Sequence, residues 1–387
     1  MSKLSPALLL VLALPFAAGP ARGQEPPPAG TWYFAVSGDS RDCGDLIMPK
    51  IARDIESRRA TTPAAFYWHL GDFRRMFGPD CDMVKRDHPD WDCATRPEDG
   101  LGMNDMSRYL NDAWEDFLDR QIDPFGKTPV FLGIGNHELG AGRTRDDFRR
   151  TFQKWLTSAP IHLQRIRESA LKPPFYTTEG DTYYHFVQNG VDFISLDNAD
   201  SASFSAAQLG WLQTVLDNDA KDPSIKTIVA GMHEALPYSK QRGHAMDASC
   251  QGLCSGERAY DLLFRAQAMG GKHVYVLASH SHLFVTDLFD GQPEHTGQVL
   301  PGWVVGTAGA QQYLQQEGDP IRYGWALVAV HPDGTLDVTF QEVKRTSPPV
   351  PTYKGAGPLT DFCFTQNRTV PGNSVFTGTC ACGQTRP

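Results

Sequence analysis

The chain lacks a second long apolar run. After residues 7–18, nothing in its 387 residues reaches the roughly 18 consecutive apolar positions a membrane helix needs. No transmembrane segment is therefore expected. There is no internal repeat and no long low-complexity tract, and the composition carries no sign of disorder, collagen or a coiled coil. The eight cysteines do not form the repeated C-x-x-C pairs of a zinc ribbon. The acidic stretch 80–105 lacks the D-x-D-x-D-G order of a calcium loop and reads as a solvated insertion. Basic charge is also in deficit. Lys and Arg number 36 against 45 Asp and Glu, a net charge of −9. Such a surface repels phosphate backbones, so nucleic acid is a poor partner.

What is present begins with a leader. Lys3, the apolar run 7–18 and small residues at Ala21 and Gly23 have the order of a secretory signal peptide cleaved near Gly23. Without residues 1–23 the balance is 34 basic against 45 acidic side chains, a net −11. An even cysteine count behind a leader argues for disulfides and for a secreted or periplasmic location. Eight cysteines allow roughly a hundred pairings. Cys81 with Cys93 and Cys250 with Cys254 are spaced to clip small loops. Asn367-Arg368-Thr369 fits a glycosylation sequon.

From residue 31 onward, short apolar strands alternate with helical stretches. Strands are expected at 31–36, 65–70, 129–134, 182–188, 191–196, 226–232, 273–279, 303–307, 325–330 and 335–341. Helices are expected at 45–59, 146–156, 205–216 and 257–269. Asn189-Gly190 marks a hairpin, and Ser205 with Gln208 has capping-box spacing. This alternation argues for an α/β fold. From about Ser347 the chain turns to Pro, Gly and Thr with three cysteines. The expected organisation is thus a signal peptide (1–23), one catalytic domain (24–345) and a Cys-containing C-terminal extension (346–387).

Polar residues cluster just after the strands. Asp39, Asp72, Asn136 with His137 and Glu138, His233 with Glu234, and His280 with His282 each follow a different one. In open α/β sheets ligands bind outside the carboxyl ends of strands, so these groups converge if the strands are parallel neighbours. Carboxylate, amide oxygen and imidazole suit Zn, Mn or Fe. The donors are too many for one tetrahedral ion and suit two ions about 3.5–4 Å apart.

In order along the chain, Ser37-Gly38-Asp39, Gly71-Asp72, Gly135-Asn136-His137-Glu138, His233 and His280-Ser281-His282 resemble the motif series of calcineurin-like metallophosphoesterases, the superfamily that includes purple acid phosphatases. The match spans roughly residues 31–282. The resemblance implies a four-layer α/β/β/α sandwich of two mixed sheets. It also implies two divalent or trivalent transition-metal ions (Fe, Mn or Zn) and hydrolysis of small phosphate monoesters by a metal-bound hydroxide. In that scheme Asp72 bridges the ions, Asp39 and His282 hold the first, and Asn136, His233 and His280 hold the second. His137 stands by the substrate to protonate the leaving group, and Glu138 orients that side. Three positions depart from the pattern. The usual D-x-H is Asp39-Ser40-Arg41, the tyrosine of purple acid phosphatases is replaced by Arg75, and the glycine before H-x-H is Ser279. The first ion thus lacks a recognised fourth ligand, a place open to water, Asp45 or another residue, and no purple chromophore is expected. Arg41 is read either as a grip on a substrate oxygen or as the partner of a nearby acid. Segments 73–106 and 235–256 are expected to wall the cleft. The rival readings are a phosphodiesterase or nuclease on the same site, and a catalytically weak binding protein retaining the fold. A plain zinc-binding module explains neither Asn136 nor the distribution over strand ends.

Overall fold

The computed structural model describes residues 27–94, 103–171, 181–241, 244–314, 318–369, 380 and 382. The expected signal peptide lies outside the described residues. In chain order the elements are β1 (Trp32–Ser37), α1 (Gly44–Ser57), β2 (Ala64–His69), α2 (Cys81–Asp87), α3 (Met103–Phe117), β3 (Val130–Leu132), α4 (Arg145–Leu156), α5 (Ala159–Ser169), β4 (Tyr184–Gln188), β5 (Val191–Ser195), α6 (Ala206–Asp219), β6 (Thr227–Gly231), α7 (Cys250–Ala268), β7 (His273–Ala278), β8 (Phe284–Val285), β9 (Gly302–Val305), β10 (Gln312–Tyr313), β11 (Tyr323–Val330), β12 (Leu336–Val343), α8 (Ala356–Thr365) and β13 (Arg368–Thr369).

Two mixed sheets carry the fold, one in the order β12-β11-β1-β2-β3, the other β4-β5-β6-β7-β9-β8; β10 and β13 form a small third pair. Strands β1, β2 and β3 run parallel, as do β5, β6, β7 and β9. Side-chain alternation sorts the second sheet's residues between two cores. Val229, Tyr275 and Leu277 face the first sheet, while Ile228, Ala230, Val274 and Val276 pack under α6 and α7. On the far side of the first sheet lies α1, through Leu46, Ile47, Ile51 and Ile55. The result is the expected four-layer α/β/β/α sandwich.

Phenylalanines fill the seam between the sheets. The rings of Phe34 and Phe66 stack at 5.3 Å, Phe193 meets both edge-on at 5.1 and 5.0 Å, and Phe131 stacks on Phe186 at 4.1 Å. Each such pair adds about 1 kcal/mol beyond its buried area.

Several local expectations hold. Asn189 and Gly190 both have positive φ, as a tight hairpin requires, and Ser205 Oγ accepts from Gln208 N at the start of α6. Others change. Helix α7 begins at Cys250, two turns before the expected 257, capped by Ser249. Gly252 and Gly256 weaken its helix signal, yet only glycine fits at 256, where a Cβ would lie 2.4 Å from Pro237. The acidic stretch is solvated only in part: Asp87, Asp90 and Asp92 are exposed, but its first two acids are not. Asp80 and Asp82 are fully buried, and the equally buried Arg74 binds Asp45 (2.6 Å), Asp82 (3.0 Å) and Asp116. A buried guanidinium needs such partners, and this one ties α1, α2 and α3 to the loop after β2.

The disulfides are Cys43–Cys363, Cys81–Cys93, Cys250–Cys380 and Cys254–Cys382. The Cys81–Cys93 clip is as expected. Cys250 and Cys254 do not pair with each other, because one helical turn points both at the C-terminal segment. Asn367 is fully buried, its amide donating to Gly309 O (3.2 Å) and Tyr323 Oη (2.9 Å). A glycan on the sequon is incompatible with this fold. No helix among the described residues is long and apolar enough to cross a membrane.

One buried ion cluster sets a pH dependence. His185 lies between Asp192 (2.7 Å) and Glu168. Burial alone would lower its pKa; the two carboxylates outweigh burial and push it up to about 10. The folded value exceeds the unfolded one, near 6.5. The contribution is therefore complete below about pH 6.5 and is lost as pH rises through about 10. The thermal midpoint should fall by several degrees across that window, and the fall should shrink in His185→Gln. Parallel curves for the two proteins would assign the alkaline loss to other groups.

Candidate metal centre

The carboxyl edges of the two sheets meet, and the loops leaving β1, β2, β3, β6 and β7 are sewn together there. Gly38 N donates to Val305 O, Asp39 N to Gly71 O, Ser40 N to Asp72 O and Ser279 N to His233 O, at 2.8–3.0 Å. Asp39, Asp72, His280 and His282 all adopt left-handed backbone, with φ of 59°, 61°, 65° and 46°. Each such turn costs an L-residue roughly 1–2 kcal/mol, and strain of this kind collects where geometry serves function. The motif glycines explain themselves by space. A Cβ on Gly71, itself at φ 95°, would sit 2.4 Å from Gly135 N, and one on Gly135 would sit 2.4 Å from Asp72 Oδ1.

The expected ligands come together, but not as five neighbours on one sheet edge. Asp39, Asp72 and Asn136 come from the first sheet, and His233, His280 and His282 from the second. They form two groups sharing Asp72. In one, His233 Nε2 lies 3.3 Å from Asp72 Oδ1, 3.1 Å from Asn136 Oδ1 and 3.1 Å from His280 Nδ1. Its Nδ1–H donates to Leu70 O at 2.9 Å, which turns Nε2 into the group. Burial alone would lower the pKa of this ring, but Asp72 outweighs burial and pushes it up to about 10, so without a metal ion Nε2 carries a proton toward Asp72. In the other, His282 Nε2 lies 3.4 Å from Asp39 Oδ1, and its Nδ1 donates to Gln311 O at 2.7 Å.

Asp39 and Asp72 are fully buried. Burial alone would raise both pKa values. His282 and His233 instead draw Asp39 down to about 2, and His137, His233 and Arg41 hold Asp72 well below the usual carboxylate range. Ser279 is more than a tolerated replacement for glycine, since its hydroxyl and the His280 amide both donate to Asp39 Oδ2. Glu138 accepts from Gly135 N (2.7 Å), Asp72 N (2.8 Å) and Phe73 N (2.8 Å), locking the loops after β2 and β3.

Arg41 takes up a specific post. Nη1 donates to His137 Nε2 at 2.5 Å and Nη2 to His282 Nε2 at 2.6 Å, while Nε stands 3.7 Å from Asp72 Oδ2. Burial, then the neighbouring Arg41 charge, lowers His137 to about 4, so at neutral pH its ring is uncharged. Its Nδ1 faces the Arg75 carbonyl and its Nε2 accepts from Arg41. Asp45 sits in the Arg74 cluster and plays no part in this centre.

A cleft of about 370 Å³ opens beside the second group, lined by Asn136, His280, Glu234, His244 and Ala248. Segment 235–256 thus supplies a wall as expected, whereas no described residue of 73–106 lines this cleft; Phe77 lies instead against the His137 ring, at 5.0 Å. Sequence reasoning missed Tyr313, whose ring stacks on His282 at 4.4 Å and on His244 at 4.5 Å. It belongs to no motif, and only β10 places it.

No family model matches the chain, and no curated protein matches it. Among solved structures it is similar to GAP50, the anchor in the inner membrane complex of Plasmodium, at 12% identity and a TM-score of 0.43 over 90% of this chain and 99% of that one. It is similar to the NAD nucleotidase of Haemophilus influenzae at 12% and 0.36, over 88% and 64%. It is also similar to a hypothetical protein of Pyrococcus horikoshii OT3 at 13% and 0.32, over 81% and 88%. At 12% or 13% identity and TM-scores of 0.43 or less, these likenesses carry no functional argument.

Removing the lock on the loops should be felt in both stability and binding. Glu138→Ala orphans three buried amides, so urea denaturation should show a loss of about 3 kcal/mol. Titration with Zn(II) should show affinity down roughly 10–100-fold. Unchanged zinc affinity in a folded variant would mean that Glu138 does not set the ligand geometry.

Proposed function

We propose that this protein is a secreted metal-dependent phosphoesterase acting on small phosphate monoesters. The observation that supports it is the convergence of Asp72 Oδ1, Asn136 Oδ1 and His280 Nδ1 on His233 Nε2, at 3.3, 3.1 and 3.1 Å. Buried Asp72 calls for a cation at this place, met by the proton it holds on His233 or, displacing that proton, by a metal ion. Imidazole, amide and carboxylate donors suit Zn, Mn or Fe. A bound ion supplies Lewis-acid polarisation of a phosphoryl oxygen and acidifies water.

The chain's own residues do the rest. Asp72 holds the ion and, through its second oxygen, faces Arg41. Arg41 offers a fixed positive charge and a donor fork to phosphoryl oxygens. His137 orients that fork by accepting from it. The cleft beside Asn136 and His280 takes the leaving group. The order of the motif segments, from Gly38-Asp39 to His280-Ser281-His282, supports phosphoester chemistry in particular. Four disulfides and the apolar N-terminal run support a location outside a reducing cytosol.

The test compares p-nitrophenyl phosphate with bis-p-nitrophenyl phosphate on protein loaded with Mn, Fe or Zn. Monoester turnover should dominate, and kcat/KM should fall roughly 100-fold or more in Asn136→Ala. Preference for the diester would replace the monoesterase reading by a phosphodiesterase. Equal rates with and without metal would remove hydrolysis at this centre.

A further inference from the structure

Two groups of donors share Asp72, yet they are not equivalent. The group of Asp72, Asn136, His233 and His280 has an open centre. The group of Asp39, Asp72 and His282 has only three donor residues, and the position where a histidine would complete it is Arg41. That guanidinium does not turn away. It donates to the one lone pair that His282 directs inward, at 2.6 Å, because His282 Nδ1–H is committed to Gln311 O. A metal ion at this place needs the same lone pair at about 2.0–2.1 Å.

Asp39 Oδ1 and Asp72 Oδ2 are buried and accept no hydrogen bond. Their charge is met through space by the cation beside them, whose Nε is 3.7 Å from Asp72 Oδ2. Nor does the loop leave Arg41 much freedom at its base. Ser40 N is bonded to Asp72 O (3.0 Å), Asp42 N to Asp80 Oδ1 (2.5 Å), and Cys43 to Cys363. The far end is held by His137 Nε2 and His282 Nε2 together. Only 12% of the side chain is exposed.

We propose that the Arg41 guanidinium takes the place of the first of the two ions that the motif series implies, leaving a centre that binds a single transition-metal ion in Asp72, Asn136, His233 and His280. This rests on the metal-dependent reading above and departs from it in number. Asp39 and His282, in that arrangement, are ligands of an organic cation. The charge at the first position is then permanent, cannot be chelated and does not vary with metal supply. It also offers N–H donors where an ion would offer a vacant coordination position.

The full mature chain, loaded with Mn(II) and desalted, should hold one ion per chain by plasma mass spectrometry and give the electron paramagnetic resonance spectrum of an isolated Mn(II). Arg41→His, which restores D-x-H, should raise the stoichiometry to two and produce an exchange-coupled pair. Two ions and a coupled spectrum in the wild-type protein would overturn the proposal while leaving the metal centre standing. No bound ion, with Asn136→Ala indistinguishable from wild type, would overturn it together with the reading beneath it. The wild-type measurement decides the matter even if Arg41→His fails to fold.

Discussion

Two carboxylates with no exposure to water, Asp39 and Asp72, impose the central constraint on this molecule. Removing a charge from water costs several kcal/mol even in a relaxed protein interior. Positive charge must therefore be delivered to them, and the surrounding structure is arranged to do so. Left-handed turns aim the carboxylates inward. Ser279 and the His280 amide satisfy one oxygen of Asp39. Imidazoles from the opposite sheet and the Arg41 guanidinium face the remainder.

This arrangement makes the centre a property of the sandwich and not of either sheet. The first sheet contributes acids and the amide of Asn136, and the second contributes imidazoles. Each of the two donor groups draws on both sheets. The phenylalanine seam that fixes the sheets against each other is therefore also what sets the distance between Asp72 and His233. Any ligand that bridges the two halves is linked to folding, because it binds only the packed state.

The sequence carried most of this. Periodicity located the strands of both main sheets except two-residue β8, and the position of each polar residue just beyond a strand marked the centre. These signals are local, so a single chain displays them. The chain could not display relations between distant segments. Arg74 has no signal in the sequence, because nothing nearby says that Asp45 and Asp116 close around it. Helix α7 was read two turns short, since Gly252 and Gly256 are poor helix formers and their close packing appears only in three dimensions. Tyr313 had no spacing to betray it. For Arg41 the sequence does not choose between a substrate oxygen and an acid. It lies against Asp72 and also against two imidazole lone pairs, a setting that only the meeting of two sheets creates.

The disulfide pattern has a consequence for how the chain reaches this state. Of the four bonds, only Cys81–Cys93 joins cysteines that are consecutive along the sequence. Cys43, which anchors the loop carrying Arg41, has its partner 320 residues downstream. Cys250 and Cys254 await partners among the last few residues. A chain oxidised in the order in which it emerges would join Cys43 to Cys81 and Cys250 to Cys254, and both pairs would have to be undone by thiolate attack. A chain oxidised in that order reaches this pattern only through disulfide exchange. A host that oxidises quickly and isomerises slowly would yield a full-length product whose Arg41 loop is tethered to the wrong part of the molecule.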